Sequence, residues 1–324
     1  MEYTGPIVSV IIPTFKRPHL VKRAVRSALS QTLSAIEVIV VVDGPDDETF
    51  EELNQFEDSR LRVNVLPRNV GSGGARNVGI KEARGEWVAF LDDDDEWFPQ
   101  KLEIQLRAAQ KSRHIYPIIS CRLIARRNGV DFILPRRFPN PNEPISEYLF
   151  CRRSLFWGEG LVQTSTILTK KELLQNHPFS ESIKRHEDLD WVLRATNAED
   201  VEVEFAPRSE PLVIWHIEDN RRRIGNTPDW RYSLSWVKAN KHLFTSRAYT
   251  SFIMTWVSEK AVQEGDINAF FHLLGESCRQ VKPTACDVLV FSANWLIPQS
   301  VKRRLAAIFA KGHLNSLLSR YSDK

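Results

Sequence analysis

Residues 84–97 read RGEWVAFLDDDDEW. Trp87 to Leu91 is a short, unbroken apolar run, the pattern of a strand buried on both faces. Four aspartates follow at once, Asp92 to Asp95. Adjacent carboxylates repel and push up one another's pKa values unless a cation or a donor relieves them. Carboxylates in an open loop suit Mg²⁺ or Mn²⁺, hard cations that often share their coordination with substrate phosphates. If the strand continued, its alternation would set Asp92 and Asp94 on one side and Asp93 and Asp95 on the other. The plainer alternative is a solvated acidic turn or a helix cap ahead of Trp97-Phe98-Pro99.

Outward from this stretch, towards the N-terminus, the same pattern repeats. IVSVII at 7–12 is a buried strand between Pro6 and Pro13. Leu20, Val21, Ala24, Val25, Ala28 and Leu29 then recur at helical spacing, with Pro18 at the helix start. IEVIVVV at 36–42 is a second buried strand, closed by the turn Asp43-Gly44-Pro45-Asp46-Asp47. A helix over 47–56, a strand over 61–66 and a loop Gly71-Ser72-Gly73-Gly74 follow, then a helix over 75–84. The order β-α-β-α-β-α-β predicts an α/β fold: a Rossmann-like, mostly parallel, doubly wound sheet with flanking helices and right-handed crossovers. Such sheets bind ligands beyond the carboxyl ends of their strands. Thr14, Phe15, Arg17, Asp43 and the four aspartates all follow strand ends, so topology alone draws them to one edge.

Towards the C-terminus the spacing predicts a helix at 99–111, a hairpin over 117–134 and an irregular stretch at 135–160 containing Pro135, Pro139, Pro141 and Pro144. A strand at 162–168, helices at 170–176 and 187–197, and strands at 201–205 and 211–216 follow. Arg221 to Arg223 fall in a loop. From Pro228 the pattern is helical, broken at Gly265, Pro283, Pro298 and Gly312. The boundary falls near 220–230, giving units 1–225 and 226–324.

The chain has 324 residues, 42% hydrophobic and 26% charged, which excludes disordered, collagen-like and coiled-coil classes. Its net charge of +3 argues against a nucleic-acid binder. Cys121, Cys151, Cys278 and Cys286 form no CxxC pair and read as free thiols in a reducing compartment. With no leader-like start and no apolar run of about 20 residues, the expected location is cytoplasmic. Residues 282–324 carry seven basic residues (Lys282, Lys302, Arg303, Arg304, Lys311, Arg320, Lys324) against Asp287 and Asp323. Mixed with apolar residues, they make this segment a candidate for peripheral contact with the anionic inner face of a membrane; a helix packed on the catalytic domain is the alternative.

The segments VSVIIPTFKRP, VVVDGPDD, NVGSGGARNVGI, ARGEWVAFLDDDDEW and HEDLDWVLRA, in this order across about 6–217, resemble glycosyltransferase family 2 with its GT-A fold. The resemblance implies a catalytic domain at 1–225, with the nucleotide-sugar part at 1–97 and the acceptor side at 98–225, ahead of a helical region at 226–324. It implies transfer of a sugar from a nucleotide diphosphate, a UDP-sugar by preference, to a hydroxyl of a glycan or lipid-linked acceptor, with inversion at the anomeric carbon. An oxocarbenium-like centre and a diphosphate leaving group suit a divalent cation, Mn²⁺ or Mg²⁺.

Residue by residue, the resemblance implies a nucleotide cradle of Pro13, Thr14, Phe15 and Arg17. Asp43 is the acid towards the base and Arg76 lies close to the nucleotide. Asp92 lies near the ribose, Asp93 takes the variable position beside it, and Asp94 is on the metal. Asp95 extends the motif and orients sugar or metal. Asp188 is the general base, with Glu187 beside it, while Asp190 faces elsewhere on the helix. Acids in a first helical turn also serve as caps, which is the plainer reading of Glu187 and Asp188. His216, ending the last predicted strand, is a second metal candidate, because a neutral imidazole suits Mn²⁺. A sugar-nucleotide pyrophosphorylase would carry a Gly-rich loop with Arg and Lys where PTFKRP stands. A catalytically degenerate binding module would lose Asp94 or Asp188, and both are present.

Overall fold

The computed structural model describes residues 5–127, 129–206, 210–217, 228–298 and 301–302. β1 (Val8–Thr14) and β2 (Ile36–Val42) are buried along their whole length and pair in parallel, Val8 with Ile36 through Thr14 with Val42. The crossover helix α1 (Pro18–Leu29) buries Val21, Ala24, Val25 and Ala28. α2 (Asp47–Leu53) leads to β3 (Leu61–Val65), parallel to β2. α3 (Gly71–Glu82) then returns the chain past β1 to β4 (Trp87–Phe90), which pairs in parallel with Val8–Ile11.

β6 (Tyr116–Ser120), β9 (Leu168–Lys170) and β10 (Val201–Phe205) complete a seven-stranded sheet ordered β10-β6-β9-β4-β1-β2-β3. The expected α/β architecture with a mostly parallel sheet is observed, but one inner strand runs the other way: β9 is antiparallel to both β4 and β6. The strand read at 162–168 thus starts only at Leu168, since Thr164–Thr166 is a turn of 3-10 helix. Similarly, Tyr116–Ser120 leaves the segment read as a hairpin to join the main sheet. α4 (Lys101–Ala109), α6 (Lys171–Asn176) and α7 (Glu187–Ala195) accompany these strands. A smaller sheet includes β5 (Glu96–Trp97), β7 (Arg122–Arg127) and β11 (Pro211–Ile217), with β11 antiparallel to β5.

Strand order reverses between β1 and β4, so the crevice for a ligand lies beyond their carboxyl ends. β4 pairs with β1 only as far as Ile11. The Ile11 carbonyl faces β4 and the Thr14 carbonyl faces β2. Pro13 therefore points its missing N–H to the side β4 has already left, and β1 runs on through Thr14 without losing a ladder bond.

α3 begins at Gly71, not at 75, because Asp43 reaches across to its first turn: Val70 N and Gly71 N donate to Asp43 Oδ1 and Oδ2 at 2.7 and 3.0 Å. The helix lies so close to β1 that a Cβ at Gly79 would sit 2.5 Å from Ile11 Cγ2. Gly79→Ala is expected to destabilise the protein by about 1–3 kcal/mol, the usual cost of overpacking, although alanine is the better helix former. Urea unfolding monitored by circular dichroism checks this; a stability gain would mean that α3 packs less closely.

The chain forms two compact units, Met1–Arg126 with Val162–Ile217, and Arg127–Leu161 with Glu218–Lys324. The second contains β8 (Val130–Leu134), α5 (Ile145–Phe150), α8 (Trp230–Ala239), α9 (Ser246–Phe252), α10 (Ser258–Glu264), α11 (Ala269–Cys278) and α12 (Ala285–Leu296). Stretch 127–161, read above with the acceptor side of 98–225, thus groups with the C-terminal helices. Phe150 explains why: its ring meets Phe244, Phe252 and Trp256 at 5.0–6.0 Å. Among the described residues no helix is long and apolar enough to cross a membrane. Of the basic residues in 282–324, Arg303, Arg304, Lys311, Arg320 and Lys324 lie outside the described residues, as do Arg221–Arg223.

Candidate active site

All the site residues expected from the sequence fall in the first unit. Three non-glycine residues there have left-handed backbones: Lys16 (φ 54°) after β1, His186 (φ 62°) before α7 and Asp200 (φ 62°) before β10. Such conformations cost free energy and cluster at functional sites.

Because β4 ends at Phe90, Asp92–Asp95 do not alternate as a strand would. They form a turn closed by Asp95 N to Asp92 O at 3.1 Å. Asp92 and Asp95 therefore come together, as do Asp93 and Asp94. Thr14 Oγ1 donates to Asp93 Oδ2 at 2.8 Å, and Arg17 Nη1 lies 3.0 Å from Asp93 Oδ1 and 3.7 Å from Asp94 Oδ2. Burial pushes the Asp93 carboxyl up to about 6, against the pull of Arg17. Thr14 and Arg17 are thus bound to the acidic loop, and Pro13 is a buried residue at the exit of β1. Phe15 is 37% exposed. Gly44 (φ +122°) closes against it, since a Cβ there would lie 3.3 Å from Phe15 Cε2. Asp43 is buried, with both carboxylate oxygens on the start of α3.

Arg76, only 5% exposed, spans the crevice. Nη2 meets Asp92 Oδ1 at 2.8 Å and Nη1 meets Glu187 Oε2 at 3.0 Å. Ser72 Oγ also donates to Glu187 Oε2. Asp188, next to Glu187, accepts from Leu189 N at 2.9 Å, and desolvation pushes its carboxyl up to about 6, Arg76 opposing. A carboxylate so poised suits proton abstraction near neutral pH. Asp190 faces away as expected, paired with Arg194 Nε at 2.8 Å.

On β11, His216 lies two residues beyond Ile214, which pairs with Glu96. Its backbone N donates to Asp95 Oδ1 at 3.3 Å, and its ring Nε2 lies 2.6 Å from Glu96 Oε1. Burial, aided by Arg23, lowers the His216 pKa and favours the neutral ring. Among the described residues no group of three His, Cys, Asp or Glu side chains is arranged to hold a metal ion. A cation held through one or two carboxylates and substrate phosphates does not need such a group. Asp94, a buried carboxylate at the crevice, fits that donor set. With Nε2 held by Glu96, the His216 ring would meet a cation through Nδ1, the arrangement in which a carboxylate supports a metal-bound imidazole.

Sequence reasoning missed Gln163 and Ser165, which hold Asp92 and Asp95. It also missed Arg23, whose Nη2 donates to Asp94 O at 2.5 Å. Gln163-Thr164-Ser165-Thr166 carries no periodicity or motif that would mark it.

The model of the family "Glycosyl transferase family 2" matches residues 9–177. Amylovoran biosynthesis glycosyltransferase AmsB of Erwinia amylovora is 30% identical over 252 residues, covering 75% of this chain and 80% of that one. UDP-Glc:alpha-D-GlcNAc-diphosphoundecaprenol beta-1,3-glucosyltransferase WfgD of Escherichia coli is 36% identical over 132 residues, 40% of this chain and about half (52%) of that one. The crystal structure of S. aureus TarS shares the fold with a TM-score of 0.53 at 19% identity, covering 89% of this chain and 52% of that one. Its 1–349 fragment in complex with UDP-GlcNAc gives 0.55, at 19% identity, over 85% of this chain and 81% of that one. The family match takes in β1, the acidic loop and the turn at 163–166, and with AmsB aligned along most of both chains, this chain belongs to glycosyl transferase family 2.

Proposed function

We propose that the chain is an inverting, metal-dependent transferase that moves a sugar from a nucleoside-diphosphate donor, a UDP-sugar, to a hydroxyl of a glycan or lipid-linked acceptor. The observation that carries this reading is Arg76. One buried guanidinium joins Asp92, at the end of β4, to Glu187, beside the raised carboxyl of Asp188. Donor-side and acceptor-side acids are thereby held at one crevice. The UDP-Glc donor and diphosphoundecaprenol-linked acceptor of WfgD, and the UDP-GlcNAc complex of TarS, support uridine and a lipid-linked acceptor.

In this reading Phe15 stacks on the base and Asp43 shapes the base pocket through the start of α3. Asp92 faces the ribose, with Asp93 beside it. Asp94 holds the cation, which when bound neutralises charge developing on the leaving diphosphate. Asp188 takes the proton from the attacking acceptor hydroxyl, and Glu187 fixes Arg76 beside it. Attack from the face opposite the diphosphate inverts the anomeric centre.

The test is release of nucleoside diphosphate from a panel of UDP-, GDP-, CDP- and dTDP-sugars with Mn²⁺, with NMR of any glycosylated product. One donor class turned over, with inverted anomeric configuration, is expected. Turnover with retention overturns the mechanism.

A further inference from the structure

Asp92 and Asp95 meet on a single side-chain amide. Gln163 Nε2 donates to Asp92 Oδ2 at 3.2 Å and to Asp95 Oδ2 at 2.9 Å, and Gln163 Oε1 accepts from Ser165 N at 2.8 Å. This set of partners fixes which end of the amide is nitrogen. Ser165 Oγ donates to Asp95 Oδ2 at 2.7 Å and accepts from Asp92 N at 3.0 Å. Gln163 is 6% exposed, and Ser165 and Asp95 are fully buried.

The turn carrying Gln163 is itself anchored from below. Trp97 Nε1 donates to Ser165 O at 2.9 Å, and Gln105 Nε2 donates to Thr166 O at 2.7 Å and Ile119 O at 2.8 Å. The buried Lys101 Nζ donates to Gln105 Oε1 at 2.6 Å and lies 3.8 Å from the centre of the Trp97 ring. A connected, buried polar network is rigid, and its members are costly to remove singly. An amide nitrogen is also apt between two acids. Its two hydrogens serve one carboxylate each, whereas a carboxylate in its place would add to the repulsion and an apolar group would leave it unrelieved.

We propose that Gln163 is a positioning residue of the transferase: its amide, fixed by the buried turn at 163–166, bridges Asp92 and Asp95 and so sets where the neighbouring Asp94 would hold the cation of the donor diphosphate. This rests on the functional reading above. Hydrogen bonds to charged groups are strong enough that losing this bridge should cost about tenfold or more in ligand affinity.

The experiment uses the full chain, titrated calorimetrically with UDP, GDP, CDP and dTDP in the presence of Mn²⁺, with electron paramagnetic resonance of the bound Mn²⁺. Gln163→Met keeps the length and removes the donors. Gln163→Asn keeps an amide too short to reach both acids. Thr169→Val is the control, since Thr169 Oγ1 donates to Pro117 O at 2.9 Å in the fully buried core of β9. Both Gln163 variants should lose about tenfold or more in nucleotide affinity and change the Mn²⁺ spectrum. Thr169→Val should lower the unfolding temperature and leave affinity within about twofold. Gln163 variants that bind within twofold of wild type overturn the inference, as does a Thr169→Val loss as large as theirs, the sign of general loosening. Wild-type protein that binds none of the four nucleotides overturns the functional reading, and the inference with it.

Discussion

Asp188→Asn is expected to lower turnover by about 10²–10⁴, the usual worth of a positioned base, while leaving nucleotide binding nearly intact. The asparagine keeps an oxygen to accept from Leu189 N, so the start of α7 is retained. Desolvation holds the Asp188 carboxyl at about 6, above its ordinary range. Two consequences have opposite signs. Because the base must be ionised to accept a proton, the wild-type rate should fall as pH drops through about 6. Because a raised carboxyl favours the folded state only while protonated, Asp188 stabilises the fold below its unfolded pKa and loses that contribution as pH rises through about 6. The variant should therefore melt several degrees above wild type at pH 7.5 and close to it at pH 4. Pre-steady-state kinetics and thermal scans at both pH values check this. Unchanged turnover would move the base to another acid, and a variant that fails to fold would make Asp188 a structural cap.

Asp94→Asn should weaken metal-dependent nucleotide binding by at least about 10–100-fold, the loss typical of even an outer-sphere partner of a metal. The change keeps the shape and removes one charge. Asp93 retains Thr14 and Arg17, so the loop should keep its course. Titration with UDP, with and without Mn²⁺, reads the effect. Wild type should bind much more tightly with the metal, and the variant nearly equally with and without it. A variant whose metal dependence matches wild type places the cation elsewhere.

Much of the first unit was legible in the sequence because its strands are buried on both faces and read as unbroken apolar runs. β2 and β10 carry the bounds read for them, and β1 runs two residues further for a reason that lies in its neighbour: β4 stops and Pro13 faces the gap. The convergence of Thr14, Arg17 and Asp92–Asp95 was legible from topology, and the place of Arg76 and Glu187 beside them only from the family resemblance. Which acid meets which partner was not. Strand alternation pairs Asp92 with Asp94, whereas the turn after Phe90 pairs Asp92 with Asp95 on Gln163 and sets Asp93 and Asp94 before Arg17. The glycines at 71, 73 and 74 read as a loop, but Asp43 takes the amides of Val70 and Gly71 and winds that loop into α3. The orientation of β9 and the grouping of 127–161 with the C-terminal helices depend on long-range pairing, which leaves no local periodicity.

The central claim is that the crevice beyond β1 and β4 takes a nucleoside diphosphate through its base, ribose and phosphates together. Thermal unfolding with UDP, GDP, CDP and dTDP, each with and without Mn²⁺, tests it most directly. A ligand at 100 times its dissociation constant stabilises the folded state by about 2.7 kcal/mol. The expected result is that one nucleotide, UDP, raises the unfolding temperature by several degrees only when Mn²⁺ is present, and that Arg17→Ala abolishes the shift. No shift with any of the four, or an equal shift in Arg17→Ala, would contradict it.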